Sequence, residues 1–182
     1  PRPAEQRTVG VMGIGVLGGA AARLLKSVGF KVCGWSRGPK KLDGVECFHG
    51  PDGLYRMASK CSIMIGLLPL TPETQGIIGK KLFDAMPQGS YIVNVGRGGH
   101  LNEADLLPAI QSGKIAGATL DVFNAEPLPD NHPFWNRPQI LITPHVASTG
   151  GADTAAQLVV ENIRLARAGK TLVNQVDRSK GY

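Results

Sequence analysis

Residues 8–18 read TVGVMGIGVLG, and this stretch decides the fold of the chain. The β-branched Val9 and Val11 lead into a GxGxxG motif, after which apolar residues recur at helical spacing. The pattern predicts a strand, a tight turn and a helix. A second predicted strand at residues 30–35 follows at the distance expected of a β-α-β unit.

Each of the three glycines in the motif is needed for a different physical reason. Gly13 permits the tight turn, Gly15 lets a ligand approach the backbone closely, and Gly18 lets the helix pack on the strand. The helix that opens at Val16 and Leu17 then presents N–H groups and a positive dipole end to a pyrophosphate. The alternative is a tight strand-to-helix turn that holds no ligand.

Strands and helices are predicted to alternate along the rest of the chain. Further strands are predicted at residues 61–68, 90–95, 115–120 and 139–143, and helices at 52–59, 80–86, 102–112 and 149–168. The strands are continuously apolar, which is typical of a parallel sheet covered by helices on both faces. We therefore predict an α/β fold with a doubly wound parallel sheet and a ligand at the carboxyl ends of its strands.

Composition narrows the classes of function. The 182 residues carry a formal charge of +6, but the cations are scattered, so a solvated surface with a local anion site is favoured over nucleic-acid binding. Cys33, Cys47 and Cys61 lack CxxC spacing, which argues against a disulfide framework or a zinc site and favours a reducing, cytoplasmic location. No metal site is predicted, and no apolar run reaches the length of a membrane span.

Three of the four histidines are interpreted as structural rather than as metal ligands. His49 and His132 lie in loops and are expected to be exposed, and His100 need not point inward. None of the three has metal-ligand spacing to Cys, Asp or Glu partners.

The loop after the second predicted strand bears on the choice of cofactor. Dinucleotide-binding folds usually carry an acid here to bind the ribose hydroxyls, whereas this chain carries Ser36 and Arg37, followed by Lys40. A hydroxyl and cations can bind a 2′-phosphate that an acid would repel. We therefore predict a preference for NADP(H), with NAD(H) as the second cofactor; the alternative is a solvated basic loop.

Arg97, Glu126 and His145 each follow a predicted strand, so all three can converge on one edge of the sheet. Arg97 can bind a substrate carboxylate bidentately. His145 can protonate a developing alkoxide, and Glu126 can orient the imidazole and favour its protonated form. These residue types suit the reduction of a 2-keto acid. The alternatives are a surface arginine, a loop acid and a histidine that ends a strand, and residue types alone do not choose between the two interpretations.

Several stretches resemble the D-isomer-specific 2-hydroxyacid dehydrogenase family. They are GIGVLG at 13–18, LLPLTPET at 67–74, NVGRGGHLNEADLLPAIQSGKIAGATLDVFNAEPLP at 94–129 and ITPHVAS at 142–148. Within the family the chain looks most like bacterial members that reduce glyoxylate and hydroxypyruvate, a likeness that includes WSR at 35–37 and the ending NQVDRSKGY. The resemblance implies a Rossmann-type fold and the catalytic roles argued above for Arg97, Glu126 and His145.

The resemblance also implies the set of residues that contact the cofactor. Asp121 is expected at the nicotinamide end, Leu68 and Pro69 on the adenine side, and Thr74 nearby. The full expected set is Gly13, Gly15, Val16, Leu17, Gly18, Ser36, Arg37, Lys40, Leu68, Pro69, Thr74, Val95, Gly96, Arg97, Asp121, His145 and Ala147.

Family members are built from two domains, and the resemblance implies that the N-terminal substrate domain is absent from this chain. Residues 1–7 are expected to form a linker or disordered lead-in, 8–169 a single dinucleotide-binding domain with a C-terminal helix, and 170–182 a tail. The expected function is NADPH-dependent reduction of small 2-keto acids such as glyoxylate and hydroxypyruvate. The isolated chain is expected to turn over poorly, and the full-length form is expected to be a homodimer.

Other functions stay open on the sequence alone. A non-enzymatic dinucleotide-binding or sensing module would keep the glycine loop but has no evident need for Arg97, Glu126 and His145 together. An NADH-dependent 2-hydroxyacid dehydrogenase acting on another substrate is the nearest alternative enzyme. Nucleic-acid binding ranks last and would show steep dependence on salt.

Overall fold

The computed structural model describes residues 3–148 and 150–176, apart from the side chains of residues 152 and 154. The chain divides into two units, which meet in sequence between His145 and Val146. Predictions for residues 1 and 2 of the lead-in, for position 149 at the start of the last helix and for 177–182 of the tail lie outside the described residues.

The first unit is built on a seven-stranded parallel sheet. Its strands are β1 Thr8–Met12, β2 Lys31–Ser36, β3 Glu46–His49, β4 Ile63–Gly66, β5 Ser90–Asn94, β6 Ile115–Leu120 and β7 Ile140–Ile142. Their spatial order is β3-β2-β1-β4-β5-β6-β7, so the chain winds outward in both directions from β1. This order confirms the predicted doubly wound sheet, whose topological switch point lies between β1 and β4.

Helices cover the sheet and join its strands. In the first unit they are α1 Val16–Ser27, α2 Gly50–Ala58, α3 Lys80–Ala85 and α4 Glu103–Gln111. The second unit contains α5 Ala152–Arg167. The side-chain amide of Asn162, in this helix, donates to the Val173 carbonyl and accepts from the Val173 N–H. Among the described residues, no helix has the length and apolar character needed to cross a membrane.

The core lies on both faces of the sheet. Neighbouring residues of a strand point to opposite faces, and Val11 and Met12 of β1 accordingly join different clusters. Val11 packs with Ala22 of α1 in the smaller cluster, while Met12 belongs to the larger cluster that includes side chains from α2, α3 and α4. Burial on both faces explains why these strands are continuously apolar.

Two strands differ from the predicted pattern. β4 spans only Ile63–Gly66, because the Cys61 N–H is bonded to the Ala58 carbonyl in the turn that follows α2. β3 was not predicted, since in its sequence ECFH only Phe48 is buried and the strand lies at the edge of the sheet.

Candidate cofactor and active site

The glycine loop between β1 and α1 leaves open space at the start of the helix. Gly13 has φ +101°, a left-handed conformation that favours glycine. A Cβ on Gly18 would lie 1.8 Å from the Gly13 carbonyl oxygen, so the helix packs on the turn only because Gly18 has no side chain. A Cβ on Gly15 would meet nothing within 4 Å. Val16 and Leu17 are exposed there, and no side chain caps the helix.

The loops after β2 and β4 lie against this glycine loop. The Lys40 ammonium donates to the Ile14 carbonyl at 3.1 Å. A Cβ on Gly13 would lie 2.5 Å from the Leu67 carbonyl oxygen and 3.2 Å from a methyl group of Leu68. Three loops that the sequence assigns to cofactor binding therefore meet at the carboxyl edge of the sheet, beside the switch point.

Ser36 is the last residue of β2 and Arg37 follows it, in a different environment. Ser36 is buried, and its hydroxyl donates to the Gly38 carbonyl at 2.9 Å. Arg37 is exposed. A hydrogen bond from Thr71 is the main cause of a lowered pKa at Glu73, and the charge of Arg37 adds to that lowering.

Thr74 shapes the loop after β4. Its buried hydroxyl accepts from the Thr71 N–H at 2.8 Å and donates to the Pro69 carbonyl at 2.8 Å. Leu68 is buried and Pro69 is half-buried. Because its hydrogen bonds are made within the loop, Thr74 supports the position of Leu68 and Pro69.

Arg97 lies in a turn after β5 that two buried side chains hold. The Asn94 amide donates to the Arg97 carbonyl at 3.1 Å, and the Arg97 N–H donates to Nδ1 of His100 at 3.1 Å. The guanidinium is exposed, and its Nη1 donates to the Gly96 carbonyl at 2.7 Å. Val95, which is half-buried, and the buried Gly96 connect this turn to the strand.

Glu126 and His145 form a hydrogen-bonded pair. His145 Nδ1 lies 2.8 Å from Oε2 of Glu126, while Oε1 of Glu126 accepts the Phe123 N–H at 2.9 Å. The hydrogen bond from His145 is the main cause of a lowered pKa at Glu126, followed by the Phe123 N–H, and the charge of Arg97 adds to it. The structure thus pairs His145 with Glu126, two of the three side chains that the sequence singled out, while Arg97 lies in the turn after β5.

A cleft of about 550 Å³ opens beside this pair. Asp121, which is buried and accepts a hydrogen bond from the Thr143 hydroxyl, lines it with Glu126 and His145. The rest of the wall includes Phe123, Leu128 and Trp135. An acid–base pair at the wall of a largely apolar cleft is the kind of arrangement in which proton transfer to a small substrate can occur.

A second His–Glu pair was missed by the sequence analysis. Oε2 of Glu103, in the first turn of α4, lies 3.5 Å from Nε2 of His132, and Oε1 accepts the Asn124 N–H at 3.1 Å. Nδ1 of His132 accepts from the Phe134 N–H at 3.3 Å. The prediction that His132 is exposed was therefore wrong, because Glu103 and Phe134 hold it half-buried. An acid at a helix start was the available signal, but its partner could not be identified from spacing.

The structure also gives the exposure of the two other histidines that the sequence analysis interpreted as structural. His49 is exposed as expected, whereas His100 is completely buried. Ala147 belongs to the second unit, so its predicted contact with the cofactor stays a prediction.

Comparisons with known protein families and curated sequences identify the family of this chain. A family model described as "D-isomer specific 2-hydroxyacid dehydrogenase, NAD binding domain" matches residues 2–147. The chain is 44% identical over 182 residues to glyoxylate/hydroxypyruvate reductase A of Yersinia enterocolitica, and 43% identical over 182 residues to the protein of that name from Serratia proteamaculans. Each comparison covers all of this chain but only 58% of the relative, so the chain spans little more than half the length of these curated relatives.

Solved structures show the same likeness. A D-isomer specific 2-hydroxyacid dehydrogenase from Xanthobacter autotrophicus, in complex with NADPH and MES, matches with a TM-score of 0.96 and 48% identity over 100% of this chain and 75% of that chain. An NADPH-dependent glyoxylate/hydroxypyruvate reductase from Sinorhizobium meliloti, in complex with NADP and sulfate, matches with a TM-score of 0.94 and 40% identity over 100% of this chain and 58% of that chain.

Proposed function

This chain belongs to the D-isomer-specific 2-hydroxyacid dehydrogenase family, and we propose that it is the dinucleotide-binding part of an NADPH-dependent reductase of small 2-keto acids. The observation that carries the proposal is the hydrogen-bonded pair of His145 and Glu126 at the wall of a cleft. Glyoxylate and hydroxypyruvate are the proposed substrates, after the names of the relatives. Because the chain spans 58% of those relatives, the proposed activity is that of this chain combined with a substrate domain.

The residues at the carboxyl edge of the sheet fit a dinucleotide. A Cβ at Gly15 would project into open space, and the uncapped start of α1 leaves backbone N–H groups for a pyrophosphate. We assign the glycine loop to the pyrophosphate, and Ser36, Arg37 and Lys40 to the 2′-phosphate. When bound, NADPH supplies the hydride for the reduction. The remaining proposed cofactor contacts are Val16, Leu17, Leu68, Pro69, Thr74, Val95, Gly96, Asp121 and Ala147.

The chain's own residues account for substrate binding and proton transfer. Arg97 offers several N–H donors, so it can bind the substrate carboxylate while one donor stays on Gly96. Because His145 Nδ1 bonds Glu126, the other ring nitrogen, Nε2, is the atom that donates a proton to the developing alkoxide. The Glu126 carboxylate orients the ring and stabilises the imidazolium before the proton is given up.

Location and assembly are also part of the proposal. Free cysteines at positions 33, 47 and 61 support a reducing, cytoplasmic location. A homodimer of the form that includes a substrate domain is proposed after the family resemblance.

Turnover of keto acids tests the function directly. We would replace the matching segment of the Yersinia enterocolitica relative with this chain and follow NADPH oxidation with glyoxylate and hydroxypyruvate. Removing the proton donor in His145→Ala should lower kcat at least about a hundredfold, as expected for general acid catalysis. Lys81→Ala serves as the control, since that lysine is exposed on α3, and it should leave kcat unchanged.

Two results would overturn parts of this proposal. A loss of less than a few fold in His145→Ala would reject His145 as the acid. A wild-type chimera that binds NADPH but reduces no keto acid would favour a dinucleotide-binding or sensing module.

A further inference from the structure

His100 is a buried polar side chain to which the mechanism above gives no role. It ends the short turn Gly98–His100 between β5 and α4 and is fully buried. Its carbonyl accepts the Ile78 N–H at 2.8 Å, which ties the turn to the segment before α3. A Cβ on Gly96 would lie 2.9 Å from its Nδ1, so the imidazole fills the space beneath the Arg97 turn.

The two ring nitrogens have different environments. Nδ1 accepts the Arg97 N–H at 3.1 Å, so the proton of the neutral ring is on Nε2. Nε2 has no hydrogen-bond partner among the described residues, although the Pro69 backbone acts on the ring and favours its protonated form. An unsatisfied buried donor is destabilising. An apolar side chain would avoid that cost, so the contact at Nδ1 is the polar interaction that an imidazole offers here and an apolar side chain does not.

The ring is held in the neutral form that this contact requires. Burial is the main cause that lowers the pKa of His100, and the positive charge of Arg97 lowers it further. A protonated Nδ1 could not accept the Arg97 N–H. Neutral His100 at Nδ1 and Asn94 at the carbonyl therefore hold the Arg97 backbone from both sides.

We propose that His100 is a positioning residue, which fixes the backbone of Arg97 through Nδ1 and so aims the guanidinium at the carboxylate of the 2-keto acid. The claim that His100 fixes the Arg97 backbone rests on the geometry of the turn. The claim that this aims the guanidinium at the substrate carboxylate rests on the proposed function. A flexible arginine side chain is directed by the backbone that carries it, and small misplacements of a substrate-binding group lower turnover strongly.

Two substitutions at His100 separate the hydrogen bond from simple packing. In His100→Asn the amide oxygen takes the place of Nδ1 and can still accept the Arg97 N–H. In His100→Gln the amide nitrogen takes the place of Nε2, and the acceptor at the Nδ1 position is lost. Both variants keep a polar amide, so their difference reports on the acceptor rather than on polarity or charge.

The first readout is hydrogen exchange of the Arg97 amide, measured by NMR on the 182-residue chain. We expect exchange at least about tenfold faster in His100→Gln, and within about threefold of wild type in His100→Asn. Unchanged exchange in His100→Gln would overturn the claim that His100 fixes this turn.

The second readout is steady-state kinetics in the chimera described above. We expect the KM for the keto acid to rise at least about tenfold in His100→Gln, while His100→Asn keeps most of the affinity for the keto acid. Equal impairment of the two variants would overturn the proposal, because it would show that only ring packing matters. An inactive wild-type chimera would instead refute the proposed function, and the exchange of the Arg97 amide would still decide the role of His100.

Discussion

At the scale of single residues, two histidines of the candidate site, His145 and His100, lie in opposite environments. His145 is half exposed and faces the ionised Glu126, whose pKa is lowered chiefly by their hydrogen bond. His100 is fully buried, and burial lowers its pKa. One ring is therefore suited to carry and donate a proton, while the other is suited to remain neutral and accept an N–H.

The buried His100 makes stability depend on pH in a defined direction. Its folded pKa is lowered, so the unfolded chain takes up a proton that the folded ring resists, and the free energy of unfolding falls as pH drops below about 6.5. We expect urea midpoints measured at about pH 7.5 and pH 5 to differ more for wild type than for His100→Asn, because the variant lacks this titration. Equal shifts in the two proteins would contradict the buried, neutral ring.

At the scale of elements, the turn from β1 into α1 offers a matched pair of glycine substitutions. A Cβ at Gly18 would lie 1.8 Å from the Gly13 carbonyl oxygen, whereas a Cβ at Gly15 would meet nothing within 4 Å. Gly18→Ala should therefore lower the free energy of unfolding by about 1–3 kcal/mol or more, because α1 must move away from β1. Gly15→Ala should leave the melting temperature unchanged and weaken NADPH binding at least about tenfold.

Thermal unfolding and calorimetric titration of the two variants check this prediction. Tight NADPH binding by Gly15→Ala would show that the open space beside Gly15 is not the pyrophosphate site. An unaltered melting temperature for Gly18→Ala would contradict the close packing of α1 on the turn.

Some elements of the fold could be predicted from sequence patterns, and others could not. β1, α1 and the buried strands were predictable because burial on both faces and the glycine turn leave local signatures in the sequence. β3 was missed because one buried side chain, Phe48, and pairing with β2 define it. The contact of His100 with the Arg97 N–H lies within one turn, but residue types do not show that this ring is buried. The contact of Glu103 with His132 arises only when separate segments of the chain pack together. Residue types therefore predicted the candidate catalytic side chains but not the buried groups that support them.

At the scale of the whole molecule, parallel strand direction explains why distant motifs meet. The loops after β1, β2, β4, β5 and β6 all leave the same edge of the sheet, which places the glycine loop, the basic loop and the Arg97 turn on one side. Three of the chain's cations, Arg37, Lys40 and Arg97, follow strands at this edge, where an anionic cofactor and substrate are proposed to bind.

Calorimetric titration of the 182-residue chain with NADPH and, separately, with NADH tests the central claim most directly, because it needs no turnover. Arg37 and Lys40 can pair with a 2′-phosphate that NADH lacks. We expect NADPH to bind at least about tenfold more tightly, a difference of about 1.4 kcal/mol. Equal or tighter binding of NADH would contradict the assignment of the basic loop, and failure to bind either cofactor would contradict the dinucleotide site itself.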